Sequence, residues 1–141
     1  MRIAVPALAA LLAFGLSLGL TPPAAAQMSS PIHFAKGADH AVLNGTIAGH
    51  EYHDYVLRAR AGQTMAVKLT VTGTNGDGSA FFNILPPGSS GAAIFNGSTS
   101  ADGSGRVKLP EDGDYRVRVY LMGNDKDAGK TVGYSVRVSI H

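Results

Sequence analysis

The sequence predicts an all-β protein: an antiparallel β-sandwich of about eight strands with Greek-key or jelly-roll-like connections. Three observations carry this. Tyr115, Val117, Val119 and Leu121 alternate with Arg116, Arg118 and Tyr120, the period of two expected of a strand with one buried and one wet face. The same period runs through Thr64–Thr72 and Thr131–Ile140, and turns rich in Gly, Asn, Asp and Ser separate such stretches. Helical spacing is nearly absent, so the apolar faces can be covered only by packing one sheet on another.

The first 26 residues are set apart from this pattern. Met1-Arg2 is a minimal basic start, Ile3–Leu20 is apolar, and Ala24-Ala25-Ala26 offers an A-x-A cleavage site. Residues 1–26 therefore read as a secretory signal peptide cut after Ala26. The apolar run is short for a span and is broken by Pro6. Residues 27–141 are expected to form a single domain, periplasmic or secreted, with no membrane span after the signal is removed. The chain has no cysteine, which fits export into a bacterial periplasm better than a disulfide-dependent secretory route. Of its 12 Lys and Arg, Arg2 leaves with the signal, so the formal charge falls from +2 to +1. Along the sequence the basic residues are scattered, and no nucleic-acid footprint is expected.

In order, Gln27–Pro31 reads as a loose N-terminus and Ile32–Lys36 as a short strand ended by Gly37. His40–Ala48 is a strand with Val42 and Ile47 inward, interrupted by a turn or bulge at Asn44-Gly45. Tyr52–Arg60 follows, with Tyr55, Leu57 and Ala59 on one face, and Ala61-Gly62-Gln63 turns the chain. Thr64–Thr72 points Met65, Val67, Leu69 and Val71 inward, and residues 73–78 form a loop. Ala80–Leu85 is stopped by Pro86-Pro87-Gly88. Ala92–Phe95 and Val107–Leu109 are brief strands on either side of the polar Ser98–Ser104. Pro110 and Gly113 lead into Tyr115–Leu121. Asp112-Gly113-Asp114-Tyr115 has the spacing of a tyrosine corner, in which the hydroxyl ties back to upstream backbone. Met122–Lys130 is a polar loop. Thr131–Ile140 closes the chain with Val132, Tyr134, Val136, Val138 and Ile140 inward.

Little in the sequence suggests catalysis. His50 and His53, with His40 as a third ligand, invite a metal reading, but residues three apart on a strand face opposite ways. No metal and no cofactor is expected. Asn124–Asp127 resembles a calcium loop, yet the twelfth position from Asp125 is Val136, which cannot ligate. Asn44-Gly45-Thr46 and Asn96-Gly97-Ser98 are glycosylation sequons expected to be incidental. No G-x-S-x-G occurs, and the chain is read as a non-enzyme. Arg58, Arg60, Arg116 and Arg118 instead lie on or beside strands where they can form a guanidinium patch, with Tyr52 and Tyr120 as exposed aromatics beside it.

A family resemblance sharpens this. Phe34-Ala35-Lys36-Gly37, Gly45–Gly49, Tyr52-His53-Asp54-Tyr55, Ala61-Gly62-Gln63, Leu109-Pro110, Gly113-Asp114-Tyr115, Arg118-Val119, Asn124-Asp125 and Tyr134 follow one another in an order and spacing similar to the bacterial periplasmic inhibitors of goose-type lysozyme. The chain also resembles, more loosely, the pre-peptidase C-terminal β-sandwich domains. The first resemblance implies a non-catalytic binding protein that protects the cell wall. Its partner would be a goose-type lysozyme or another peptidoglycan-cleaving enzyme. It implies a partner-binding set of Tyr52, Arg118, Asn124, Lys126 and Lys130, with Arg118 matching the family's first arginine and Tyr52 its tyrosine. Gly123 stands where the family carries a further arginine, so Gly123→Arg is expected to strengthen inhibition. Arg118→Ala and Lys126→Ala are expected to weaken binding without lowering the melting temperature. The alternative is a glycan- or protein-binding sandwich module with another partner.

Overall fold

A computed structural model describes residues 27–141 together with Gly15 and Gly19. The rest of the predicted signal peptide lies outside the described residues. The strands are β1 (Gln27–Pro31), β2 (His40–Ala48), β3 (Tyr52–Ala59), β4 (Thr64–Thr74), β5 (Ala80–Leu85), β6 (Phe95–Asn96), β7 (Ser104–Lys108), β8 (Gly113–Leu121) and β9 (Thr131–Ile140). A short helix, α1, spans Gly123–Asp127. One sheet has the order β1-β3-β8-β5-β6 and the other β2-β9-β4-β7. Without β1, this is the strand order of a jelly roll, eight antiparallel strands alternating between two sheets. Among the described residues no helix is long and apolar enough to cross a membrane.

The core lies between the sheets and is built as the alternation predicts. Tyr115, Val117, Val119 and Leu121 of β8 face Val132, Tyr134, Val136 and Val138 of β9, and all are buried. Tyr55 and Tyr134 enter this core from opposite sheets and share a 2.7 Å hydroxyl hydrogen bond. Burial raises the pKa of both phenols. The tyrosine corner is present: the Tyr115 hydroxyl donates to the Glu111 carbonyl at 2.6 Å and accepts from the Glu111 N–H at 3.1 Å.

The N-terminal half departs from the sequence reading in four places. Gln27–Pro31 is an edge strand pairing parallel with β3, and Ile32–Lys36 is not a strand. Ile32 still plugs the core, with its N–H bonded to the Val56 carbonyl at 2.8 Å. Asn44-Gly45 neither turns nor bulges, because β2 pairs with β9 in unbroken register from His40 to Ala48. Gly45 is there for space: a Cβ would run into the Tyr134 hydroxyl and lie 3.0 Å from that of Tyr55. With no bulge, Leu43, Gly45 and Ile47 share the inner face, and Val42 is turned out, 54% exposed. Val71 is likewise 37% exposed, next to the register shift between Val71 and Gly73.

Beyond α1, which forms inside the stretch read as the loop Met122–Lys130, the remaining differences are at element ends. β4 runs on through Gly73 and Thr74, β6 keeps only Phe95 of the expected Ala92–Phe95 and adds Asn96, and β7 spans Ser104–Lys108 in place of Val107–Leu109. Ile140 is half-buried.

Candidate functional site

Tyr52 and Asp54 of β3 lie opposite Tyr120 and Arg118 of β8, on the outer face of the first sheet. Asp54 is 1% exposed. Arg118 closes over it, with Nε donating to Oδ1 at 2.7 Å and Nη2 to Oδ2 at 3.0 Å. This two-pronged pair raises the pKa of the guanidinium further. The Arg118 Cζ sits 4.3 Å from the centre of the Tyr52 ring, a cation–π stack. Arg118 is thus fixed in its plane by a carboxylate and on its face by an aromatic ring. It lies on a strand, as the alternation placed it, and its lock on buried Asp54 argues against the expectation that Arg118→Ala leaves the melting temperature unchanged.

The strand β8 runs on into Met122 and α1. Gly123 opens the helix at φ 63° and Gly129 follows it at φ 64°. The pin is Asp125, fully buried, whose Oδ1 accepts the Asp77 N–H at 2.8 Å and Oδ2 the Ser79 N–H at 2.7 Å. Those bonds, Ser79 first, hold its pKa below the usual carboxylate value. The Gly49 N–H donates to the Lys130 carbonyl at 3.0 Å, so the turn before Tyr52 also touches this loop. Asn124 is exposed, and Lys126 and Lys130 are half-buried. Among the described residues neither lysine has a carboxylate within ion-pair distance. Tyr52, Asn124, Lys126 and Lys130 therefore share one end of the sandwich, with Arg118 two residues in from that end.

Gly123 also answers the question of the missing arginine. At φ 63° a side chain costs about 1–2 kcal/mol, so the geometry of this loop favours glycine there. Gly123→Arg, expected to strengthen inhibition, therefore carries a backbone cost at this position.

Sequence reasoning missed two participants. Asp54 is the partner that immobilises Arg118, and its place on the wet face of β3 two residues after Tyr52 was a usable signal. Met122, 41% exposed, is an apolar side chain at the entry to the loop. The other candidates separate. Arg58 faces Asp114 at 3.6 Å in solvent, and Arg116 Nη1 donates to the Ser89 carbonyl at 3.3 Å. Arg60 lies in the turn after β3, and Tyr120 is half-buried with its hydroxyl on Asn83 Oδ1 at 2.9 Å. His53 points the other way from Tyr52, stacked on Tyr55 and hydrogen-bonded to Ser30 Oγ at 2.8 Å. His40 pairs with Asp39 and His50 is exposed. Among the described residues no three His, Cys, Asp or Glu side chains converge to hold a metal.

No protein-family profile matches the chain. The crystal structure of a periplasmic lysozyme inhibitor of g-type lysozyme from Aeromonas hydrophila does match, with 36% identity and a TM-score of 0.75, over 84% of this chain and 100% of that one. The chain belongs to the family of periplasmic inhibitors of g-type lysozyme. The inhibitor of g-type lysozyme from Escherichia coli (strain K12) is 28% identical over 116 residues, 82% of this chain and 84% of that protein. The pre-peptidase C-terminal domain of a Bacillus anthracis collagenase, 10% identical with a TM-score of 0.52, shares the fold alone. As a member of the g-type lysozyme inhibitor family, the chain stacks Tyr52 on Arg118 and carries lysines in the loop where the resemblance places a further arginine.

Proposed function

We propose that this protein is an exported, non-catalytic inhibitor of g-type lysozyme. It is cut after Ala26, works in the periplasm or once released, and binds through the end of the sandwich that holds Tyr52, Arg118, Asn124, Lys126 and Lys130. The observation that carries this reading is the Tyr52–Arg118 stack locked onto buried Asp54 beside a pinned, lysine-bearing loop, in a chain of that family. A cleft that cleaves glycosidic bonds holds carboxylates, and cations reaching into it form charge-assisted hydrogen bonds. Arg118 and the lysines play different parts. Asp54 takes two of the five N–H donors of Arg118 and offsets its charge, and the Ser90 carbonyl takes a third at 3.4 Å, so Arg118 offers shape and its two remaining donors. The electrostatic pull comes from Lys126 and Lys130. Preorganisation by Asp54 and Asp125 lowers the ordering cost of binding.

The test is a panel of goose-, chicken- and invertebrate-type lysozymes assayed with the protein purified after export, its N-terminus read by mass spectrometry. Titratable loss of the g-type activity and an N-terminus at Gln27 are expected. A folded protein that leaves the g-type enzyme fully active overturns the reading.

A further inference from the structure

The outer face of the second sheet carries a different chemistry. On β4, Ala66 lies opposite Arg106 of β7 on one side and Ser139 of β9 on the other. In the next row Lys68 lies opposite Ser104 and Arg137. Ala66 is the short side chain in this array, and its methyl leaves a trough of about 440 Å³ walled by the longer ones. Three cations from three adjacent strands thus border one hollow. Their positions at 68, 106 and 137 scatter them along the sequence, and only the pairing of β4, β7 and β9 gathers them on one face.

The array is not balanced internally. On the first sheet Arg58 and Arg118 each meet a carboxylate. On the second, among the described residues, no carboxylate lies within ion-pair distance of Lys68, Arg106 or Arg137. The neighbouring acid is Asp102, whose carboxylate is taken by Ser100 Oγ, Ser104 N–H and Ser104 Oγ. Only its backbone carbonyl receives Lys68 Nζ. Lys68 and Arg137 stand directly opposite each other, and like charges so placed destabilise a sheet. A chain with almost no net charge has concentrated repulsion around a hollow.

We propose that this trough is a binding site for a phosphate dianion, free or as a monoester, seated over Ala66 between Lys68, Arg106 and Arg137. A phosphomonoester carries a charge of about −1.5 to −2 at neutral pH, which answers more of this field than one carboxylate does. Its three terminal oxygens diverge, suiting donors that come from three strands, and guanidinium forks match phosphate oxygens in pairs. The Ser139 hydroxyl beside Ala66 adds a neutral donor, whereas that of Ser104 is already given to Asp102. The site lies on the sheet opposite the Tyr52–Arg118 stack, so it is separate from the proposed lysozyme contact.

The experiment follows backbone amides of the isotope-labelled exported protein by NMR at fixed ionic strength. The arms are sodium phosphate, glucose 1-phosphate and sodium acetate. Saturable shifts at Ala66, Lys68, Gly105 and Arg137 are expected with both phosphates and not with acetate. Tighter binding of glucose 1-phosphate assigns the site to sugar-borne phosphate, and equal binding to the free anion; either result supports the site. Arg137→Gln should weaken binding roughly tenfold or more, the loss of one charge-assisted contact. Ala66→Glu should abolish it by placing a carboxylate in the hollow. Melting temperatures of both variants in chloride should match or exceed wild type, and g-type lysozyme inhibition should be unchanged. No saturable shift, equal shifts with acetate, or undiminished binding by Arg137→Gln overturns the proposal.

Discussion

Arg118→Ala is the substitution for which the structure and the linear sequence disagree most. Asp54 is 1% exposed and both its oxygens rest on Arg118, while the Arg118 side chain is 17% exposed. Removing the guanidinium strands a carboxylate where water reaches it poorly. Breaking a buried pair this way costs about 3–5 kcal/mol. Water can enter along the exposed side of Arg118, which puts the cost near the lower end, about 3 kcal/mol. For a domain of this length that is a fall in melting temperature of roughly 12 °C. Asp54→Asn should cost less, about 1–2 kcal/mol, because the guanidinium it leaves behind can turn to solvent. Combining the two should recover part of the Arg118→Ala loss, since a neutral amide is cheaper to leave without its partner. Thermal and urea melts followed by circular dichroism at neutral pH measure all three. If Arg118→Ala melts within about 2 °C of wild type, Asp54 does not depend on Arg118 and the locked-stack description is wrong.

Other substitutions test the frame around this site. Val117→Ala and Val136→Ala each delete methyls from fully buried positions and should cost about 1–3 kcal/mol in urea melts; Arg116→Ala should cost less than either. Gly123→Arg should lower the melting temperature through its φ of 63°, whatever it does to inhibition, and Gly123→Asn should lower it less. Burial depresses His53 below its ordinary 6.5, against a smaller upward pull from Asp54. The unfolded chain therefore takes up that proton first, and stability is full above pH 6.5 and declines as pH falls below it. His53→Gln should flatten that decline in melting curves. Asp125, also depressed, contributes stability above pH 3.8 that is lost as pH falls through its lower folded value; Asp125→Asn should remove this acid-dependent part.

The sandwich was legible where each strand buries one face along its whole length. β8 and β9 alternate without interruption, and β5 matched residue for residue between Ala80 and the Pro86 stop. Edges were harder. Gln27-Met28-Ser29-Ser30-Pro31 has no apolar period, because an edge strand pairing parallel with β3 is specified by its neighbour's backbone. Asn44-Gly45 has the composition of a turn, and reading it so flipped the parity of β2 and put Val42 inside. Its glycine serves Tyr134, a residue 89 positions further on. The site was half legible for the same reason. Tyr52, Arg118 and the lysines can be named from the chain, but Asp54 beneath Arg118 and Asp125 beneath 77–79 act through contacts the linear order does not display. The segregation of Lys68, Arg106 and Arg137 onto one face exists only once β4, β7 and β9 are paired.

The central claim is that the Tyr52–Arg118 end, with its loop lysines, is what a g-type lysozyme meets. The direct measurement is an inhibition titration of that enzyme with wild type and Lys126→Ala, run at low and high salt beside their melting curves. Lys126 makes no ion pair among the described residues, so its removal should leave the melting temperature unchanged. Inhibition by wild type is expected to weaken with salt, as screened charges require. That of Lys126→Ala should start weaker, by about tenfold if its contact is charge-assisted and buried, and depend less on salt. Equal inhibition by the two proteins at every salt concentration, or none by folded wild type, would contradict the claim.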